Sequence, residues 1–245
     1  RFGRTASVYW DTMLPRTADI VIIGAGAIGA SIAYHLSKRG ARDVVVLERE
    51  AIGSGSTSKA AGGIRVQFAT RVEIEFSQRG MAFFKRFEDE MGVPCDFRQE
   101  GYLFILSSEQ DVARFKKNVA LQQSMGADVR MIAPDDAKAL VPGLRVDDAL
   151  AAVWGPTDGY ASPNDVVQAY AARARAGGVR FFEETPVKGI ELDGRKVVLT
   201  GYMLPLKLED GLATEFFFLS SPTACCYGII PEVNEWMLVK MRKEG

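Results

Sequence analysis

The stretch Asp19-Ile-Val-Ile-Ile-Gly-Ala-Gly-Ala-Ile-Gly29 limits what this chain can fold into more than any other part of it. A short apolar run rich in Ile and Val, ending on glycine, is the pattern of a strand buried on both faces of a parallel sheet. From Ala27 to Arg39, Ile28, Ile32 and Leu36 with the small Ala30 and Ala33 recur at helical spacing, and Gly40 supplies a stop. Asp43-Val-Val-Val-Leu-Glu-Arg49 reads as a second buried strand, so residues 19–49 form one strand-helix-strand unit with a right-handed crossover expected. Between strand and helix lies Gly24-x-Gly26-x-x-Gly29. Gly24 permits the tight turn, Gly26 lets a pyrophosphate approach the backbone, and Gly29 lets helix and strand pack closely. The helix N-terminus adds N–H groups and a positive dipole end.

Glu48 stands about twenty residues beyond the last glycine, at a strand end, where a carboxylate can accept hydrogen bonds from ribose hydroxyls and repel a 2′-phosphate. The motif chemistry therefore disfavours NADP but does not separate FAD from NAD. A bare glycine turn beside an incidental surface glutamate is the plain alternative.

Past this unit the chain is mixed. A loop of small residues, AIGSGSTSKAAGGIR, precedes an amphipathic helix expected over about Arg71 to Gly92, with Ile74, Met81, Phe84 and Phe87 among its apolar positions. GYLFILS reads as a strand, EQDVARFKKNVALQQSMG as a helix, VRMIA as a strand and DDAKALVP as a short helix. AAVWGPTDGYASP is strand then turn, NDVVQAYAARARAGG a helix with Asn164 or Asp165 near its N-cap, and RFFEETPVKGIELDG a strand pair. From Lys196 the texture is β only: KVVLTGYMLPL, ATEFFFLSS and WMLVKMR, with Gly, Pro and Ser turns between them.

Composition excludes some classes. The 245 residues carry 30 basic against 31 acidic side chains, which leaves no electrostatic footprint for nucleic acid or an anionic membrane. No apolar run approaches the roughly eighteen residues of a membrane span, and the start RFGRTASVYWDT lacks signal-peptide order, so a cytoplasmic setting is the default. Three cysteines, two of them the adjacent Cys225 and Cys226, make no disulfide framework and cannot complete a metal site, so no metal is expected. His35, the single histidine, falls on the first helix behind the glycine turn and reads as structural. Met13 is expected to be the natural start, with residues 1–16 a disordered leader.

The segments DIVIIGAGAIGASIAYHLSKRG, VVLERE, GSGSTSKAAGGIR, EGYLFILSS, NVALQQSMGADVRMIAPDDAKALVPGL, DGYASPNDVVQAYAARARAGGV and TPVKGIE occur in order over residues 17–193. Together they resemble the D-amino-acid oxidase and sarcosine oxidase superfamily of FAD enzymes, of the sarcosine oxidase β-subunit and dimethylglycine dehydrogenase type. The resemblance implies an α/β chain. It would comprise a Rossmann-like FAD-binding core with a parallel sheet over 17–95, part of a mixed α+β substrate domain over 96–160, a return to the first domain over 161–193, and a short all-β segment over 194–245. It implies FAD as cofactor and hydride transfer from the carbon beside an amine, in a small amine or amino acid such as sarcosine, dimethylglycine or glycine, with the electron acceptor open.

By position the resemblance gives the cofactor Gly24, Gly26, Ala27, Ile28 and Gly29, then Glu48 and Arg49, then Ser56, Thr57, Ser58, Ala61, Gly62 and Gly63 in the following loop, and Val187 beside the adenine. The loop can equally be a plain linker. Arg65 suits a substrate carboxylate through its planar fork, and a solvated surface arginine fits it equally well.

After Asp193 to Val198 the resemblance stops. Residues 197–241 are similar instead to a separate bacterial domain of unknown function. The chain is then either a fusion or a join of two unrelated fragments. Three functions follow: an FAD-dependent amine or amino-acid oxidoreductase, a truncated or chimeric inactive nucleotide-binding fragment fused to a small β module, or an NAD-binding Rossmann protein of another kind.

Overall fold

The computed structural model describes residues 14–188 and, beyond them, the backbone of strands 202–209, 212–219 and 236–240. The expected leader before residue 14, and Cys225 and Cys226, lie outside the described residues. Two compact units emerge. The first comprises residues 1–55 and 170–200, the second 56–169 and 201–245.

In the first unit, β1 (Ile20–Ile23) pairs in parallel with β2 (Val44–Leu47), and β2 pairs in parallel with β8 (Arg180–Phe182). β2 is the middle strand, and Val44, Val45 and Val46 are each nearly or wholly buried, as a strand covered on both faces requires. Helix α1 (Ala27–Lys38) forms the crossover. Of the expected apolar positions Ala30 and Ala33 are buried, Ile32 and Leu36 half-buried, and Ile28 departs at 49% exposed; Gly29 and Tyr34 join the buried face. The single histidine, His35, lies edge-on to Tyr34 at 4.9 Å and near Tyr170 at 6.2 Å, in keeping with a packing role.

In the second unit, β4 (Tyr102–Leu106), β6 (Ala151–Gly155) and β5 (Arg130–Ile132) form an antiparallel sheet in the order β4-β6-β5. Helix α4 (Glu109–Ser124) contributes Val119 to a core with Val66, Met81, Leu106, Val129 and Val153. β3 (Gly63–Ile64) pairs antiparallel with β7 (Gly159–Tyr160), and α5 (Pro134–Leu140) follows β5.

The single long helix expected over Arg71–Gly92 is two helices, α2 (Arg71–Phe84) and α3 (Phe87–Met91). Beyond the break at Lys85–Arg86, Phe87, 2% exposed, stacks in parallel on Phe84 at 5.8 Å and meets the edge of Phe83 at 5.7 Å. Gly92, with φ of 74°, then ends α3 in the left-handed conformation. Helix α6 (Pro163–Ala176) has Asn164 and Asp165 in its first turn, two and three residues past the cap itself. Ser162 is the cap, its Oγ accepting the Asp165 N–H at 3.3 Å, and Pro163 takes the first helical position, where no N–H is needed.

Of the expected strand pair over RFFEETPVKGIELDG, β8 is the strand among the described residues. The remaining strands, β9 (Tyr202–Glu209), β10 (Leu212–Leu219) and β11 (Trp236–Lys240), form an antiparallel sheet with β10 central. Pro205 falls on β9, an edge strand, the place in a sheet where proline is tolerated.

Because Phe87 is wholly surrounded, Phe87→Ala should cost about 3–5 kcal/mol. A drop of that size in the unfolding free energy from urea denaturation would establish it. A drop comparable with an exposed substitution on the same helix pair would show that the Phe83–Phe84–Phe87 cluster adds little to the packing.

Candidate cofactor site

The glycine turn joins β1 to α1. Gly24 has φ of 96°, a conformation that favours glycine, and its N–H donates to Leu47 O at 2.7 Å. A Cβ on Gly29 would lie 2.0 Å from Gly24 O, so the third glycine is required by direct contact between helix and turn. Gly26 is the N-cap of α1, gives no side-chain cap, and no acidic residue occupies the first turn. A helix start built this way presents backbone N–H groups and a positive dipole end with no carboxylate to compete.

Glu48 closes the turn. Its Oε2 accepts the Ala25 N–H at 2.7 Å and its Oε1 accepts the Glu50 N–H at 3.0 Å. Each oxygen keeps acceptor capacity for a further donor, which is what a ribose diol offers. Arg49 is exposed and lies 3.7 Å from the Glu50 carboxylate. Val187, 37% exposed, follows the bonds that run from Glu184 N–H to Glu50 O and from Thr185 N–H to Glu48 O.

In the second unit the small-residue loop is a run of turns, with Lys59 N–H donating to Ser56 O and Ala60 N–H to Thr57 O. Ser56, Ser58, Ala61 and Gly63 are exposed, Thr57 and Gly62 half-buried. Gly62 has a packing reason of its own: with φ of 76°, a Cβ there would lie 2.0 Å from Ala161 O.

Arg65 is half-buried rather than solvated. Its guanidinium lies over the rings of Phe68 (4.9 Å), Tyr102 (5.1 Å) and Phe104 (5.6 Å), and Nη1 donates to Tyr102 Oη at 3.4 Å. Its Nε is buried with no hydrogen-bond partner. Beside it is a polar cluster that reading the sequence did not single out. Asp158, fully buried, accepts the Val66 N–H on Oδ1 at 2.9 Å and Gln67 Nε2 on Oδ2 at 3.0 Å. Gln67 Nε2 also donates to Tyr102 O at 2.9 Å. Burial pushes the Asp158 carboxyl above its ordinary value, against the opposing pull of those two bonds and of Arg65. Cys95 is buried, and burial holds its thiol above its usual range, which keeps it protonated and unreactive. Among the described residues no group of His, Cys, Asp and Glu could hold a metal, and no helix is long and apolar enough to cross a membrane.

Residues 19–209 match the family model described as FAD dependent oxidoreductase. The chain belongs to that family. The matched span runs through β9, past the Asp193–Val198 region where the sequence resemblance was expected to end. Human mitochondrial sarcosine dehydrogenase is 34% identical over 180 residues, covering 73% of this chain and 20% of that protein. The mouse mitochondrial pyruvate dehydrogenase phosphatase regulatory subunit is 30% identical, covering 71% of this chain and 20% of that protein. Among solved structures, L-proline dehydrogenase from P. horikoshii superposes with a TM-score of 0.66 at 39% identity, covering 74% of this chain and 47% of that one. This FAD-family chain thus spans about a fifth of the length of those curated relatives and about half of that solved structure.

The cofactor of the family is FAD, and the first unit fits it. The carboxylate-free start of α1 suits a pyrophosphate, the fixed Glu48 suits an adenosine ribose, and the half-exposed Ile28 offers apolar surface beside them.

Asp158→Asn should destabilise by about 1–3 kcal/mol, because one of two buried donors then faces an NH2 group. The pH dependence has a definite sign. With the folded-state value above 3.8, the native state binds the proton more tightly, so the Asp158 contribution is greatest in acid and falls as pH rises through the folded value. Denaturation midpoints of wild type and variant across that range should converge as pH rises. A constant difference would refute the assignment.

Proposed function

We propose that this chain binds FAD through its first unit as part of an oxidoreductase acting on the C–N bond of a small amine or amino acid. The observation that carries the reading is the pairing of the uncapped, acid-free start of α1 with the Glu48 carboxylate held on Ala25 N–H. Gly24, Gly26, Ala27, Ile28 and Gly29 would meet the pyrophosphate, Glu48 and Arg49 the adenosine ribose, and Val187 the adenine. Ser56, Thr57, Ser58, Ala61, Gly62 and Gly63 are assigned to phosphate and flavin contacts on the strength of the resemblance, supported by the exposure of most of them.

The chemistry the flavin supplies when bound is acceptance of a hydride from the carbon beside a neutral amine. The protein's part is to orient and to exclude water. Arg65, its charge held among three rings, is the candidate partner for a substrate carboxylate. Sarcosine, dimethylglycine, glycine and proline are the substrates to try. The names sarcosine dehydrogenase and L-proline dehydrogenase among its relatives support that choice. The domain plan of an FAD core, a partial substrate domain and a β module over 194–245 is part of the same proposal, as is a cytoplasmic setting. The pairing of β9 and β11 with β10 supports the β module.

A second reading is a nucleotide-binding module without turnover. A relative named as a regulatory subunit favours it.

The purified chain should take up FAD and show flavin absorption, and Glu48→Ala should weaken FAD about ten-fold, the scale of one charge-assisted hydrogen bond. Colourless protein that does not bind FAD would sink the first reading. Bound FAD that none of the four substrates bleaches under anaerobic conditions would favour the second.

A further inference from the structure

Glu183, just past β8, has no part in the chemistry above, yet its side chain joins segments far apart in the chain. Its Oε2 accepts the Ile52 N–H at 3.1 Å, and its Oε1 accepts Arg175 Nη2 at 3.2 Å. Arg175 lies in the last turn of α6 and stacks over Phe181 at 5.0 Å, so the carboxylate is held from the helix side as well. Ile52 is 8% exposed, and the next residue, Gly53, donates its N–H to Ala25 O at 3.1 Å. Ala25 in turn donates to Glu48 Oε2. The turn from Glu48 to Gly53 is therefore pinned at four places. Thr185 N–H holds Glu48 O, Glu184 N–H holds Glu50 O, the Glu183 side chain holds Ile52, and Ala25 holds Gly53.

The β2–β8 ladder is complete through backbone bonds alone, and an ion pair as exposed as Arg175–Glu183 adds little to stability. What the Glu183 carboxylate adds to the backbone bonds is a hold on the Ile52 N–H, late in the turn. A bond to a charged acceptor is short and directional, which suits that task.

We propose that Glu183 is a positioning residue of the dinucleotide site: by holding the Ile52 N–H it fixes the Glu48–Gly53 turn, and with it the Glu48 carboxylate, in the geometry that receives the adenosine ribose. The proposal rests on the FAD reading above.

ADP, the adenosine half of the cofactor, is the probe, titrated calorimetrically into the full chain alongside FAD. Glu183→Ala should weaken both about ten-fold, while Glu183→Gln, whose amide oxygen still accepts from Ile52, should stay within about twofold of wild type. The melting temperature of the ligand-free protein should change little in either variant, a separation that a merely structural role would not produce. Should Glu183→Ala not fold, Glu183→Asp, one methylene too short to reach Ile52, carries the same expected loss. Glu183→Ala or Glu183→Asp binding ADP as tightly as wild type overturns the positioning role alone, as does Glu183→Gln binding as weakly as Glu183→Ala. Wild type that binds neither ADP nor FAD overturns the proposal together with the reading beneath it.

Discussion

The Glu48 carboxylate takes the Ala25 N–H on one oxygen and the Glu50 N–H on the other, and the shape of the glycine turn depends on that group. It ties the end of β2 to the glycine turn after β1, so two strand ends that could diverge are fixed at hydrogen-bonding distance. Gly24 then turns into α1, and Gly29 lets the helix lie against the turn it leaves. In the reading proposed above, the same carboxylate would also meet the ribose hydroxyls, so one residue would both shape the turn and face the ligand.

How much of this was legible in the sequence depends on what kind of contact is involved. Apolar runs and glycines impose themselves on a sequence because the residue type is the cause: β1, α1 and β2 lie within a residue or two of where the Ile/Val runs and Gly24, Gly26 and Gly29 place them. On α1 the periodic pattern holds at Ala30 and Ala33 and fails at Ile28, which sits at the first turn and is half exposed. The split between α2 and α3 was missed because helical spacing runs unbroken through Lys85 and Arg86. Phe83, Phe84 and Phe87 stand three and four residues apart, so their contact would form on an unbroken helix too and leaves the break itself unmarked.

Asp158 and Glu183 were missed for a different reason. Each accepts a backbone N–H from a distant segment, Val66 across 92 residues and Ile52 across 131. Every residue except proline offers the same N–H, so the donor side leaves no mark on the sequence, and the acceptor side is one acidic residue among 31. Arg65 illustrates the intermediate case. The planar cation was recognisable, but the three rings that hold it come from Phe68, Tyr102 and Phe104, and two of those belong to a strand well removed in the chain.

The two carboxylates do parallel work under different electrostatics. Glu183 is partly in solvent, so water and Arg175 stabilise its charge and its bond to Ile52 is made at little desolvation cost. Asp158 is fully buried and pays that cost, which is why its carboxyl is displaced toward the protonated form even with two donors and Arg65 nearby. An apolar residue of the same volume could not serve in its place. The Val66 N–H and both hydrogens of the Gln67 amide must point at acceptors, and the Tyr102 carbonyl satisfies one of those three. Asp158 therefore fixes which way the Gln67 amide faces, leaving Oε1 as the atom turned away from the carboxylate. The segment that follows β3 and carries Arg65 is tied down by the same bonds at Val66 and Gln67, so a side chain with no hydrogen bond to the guanidinium helps to set its position.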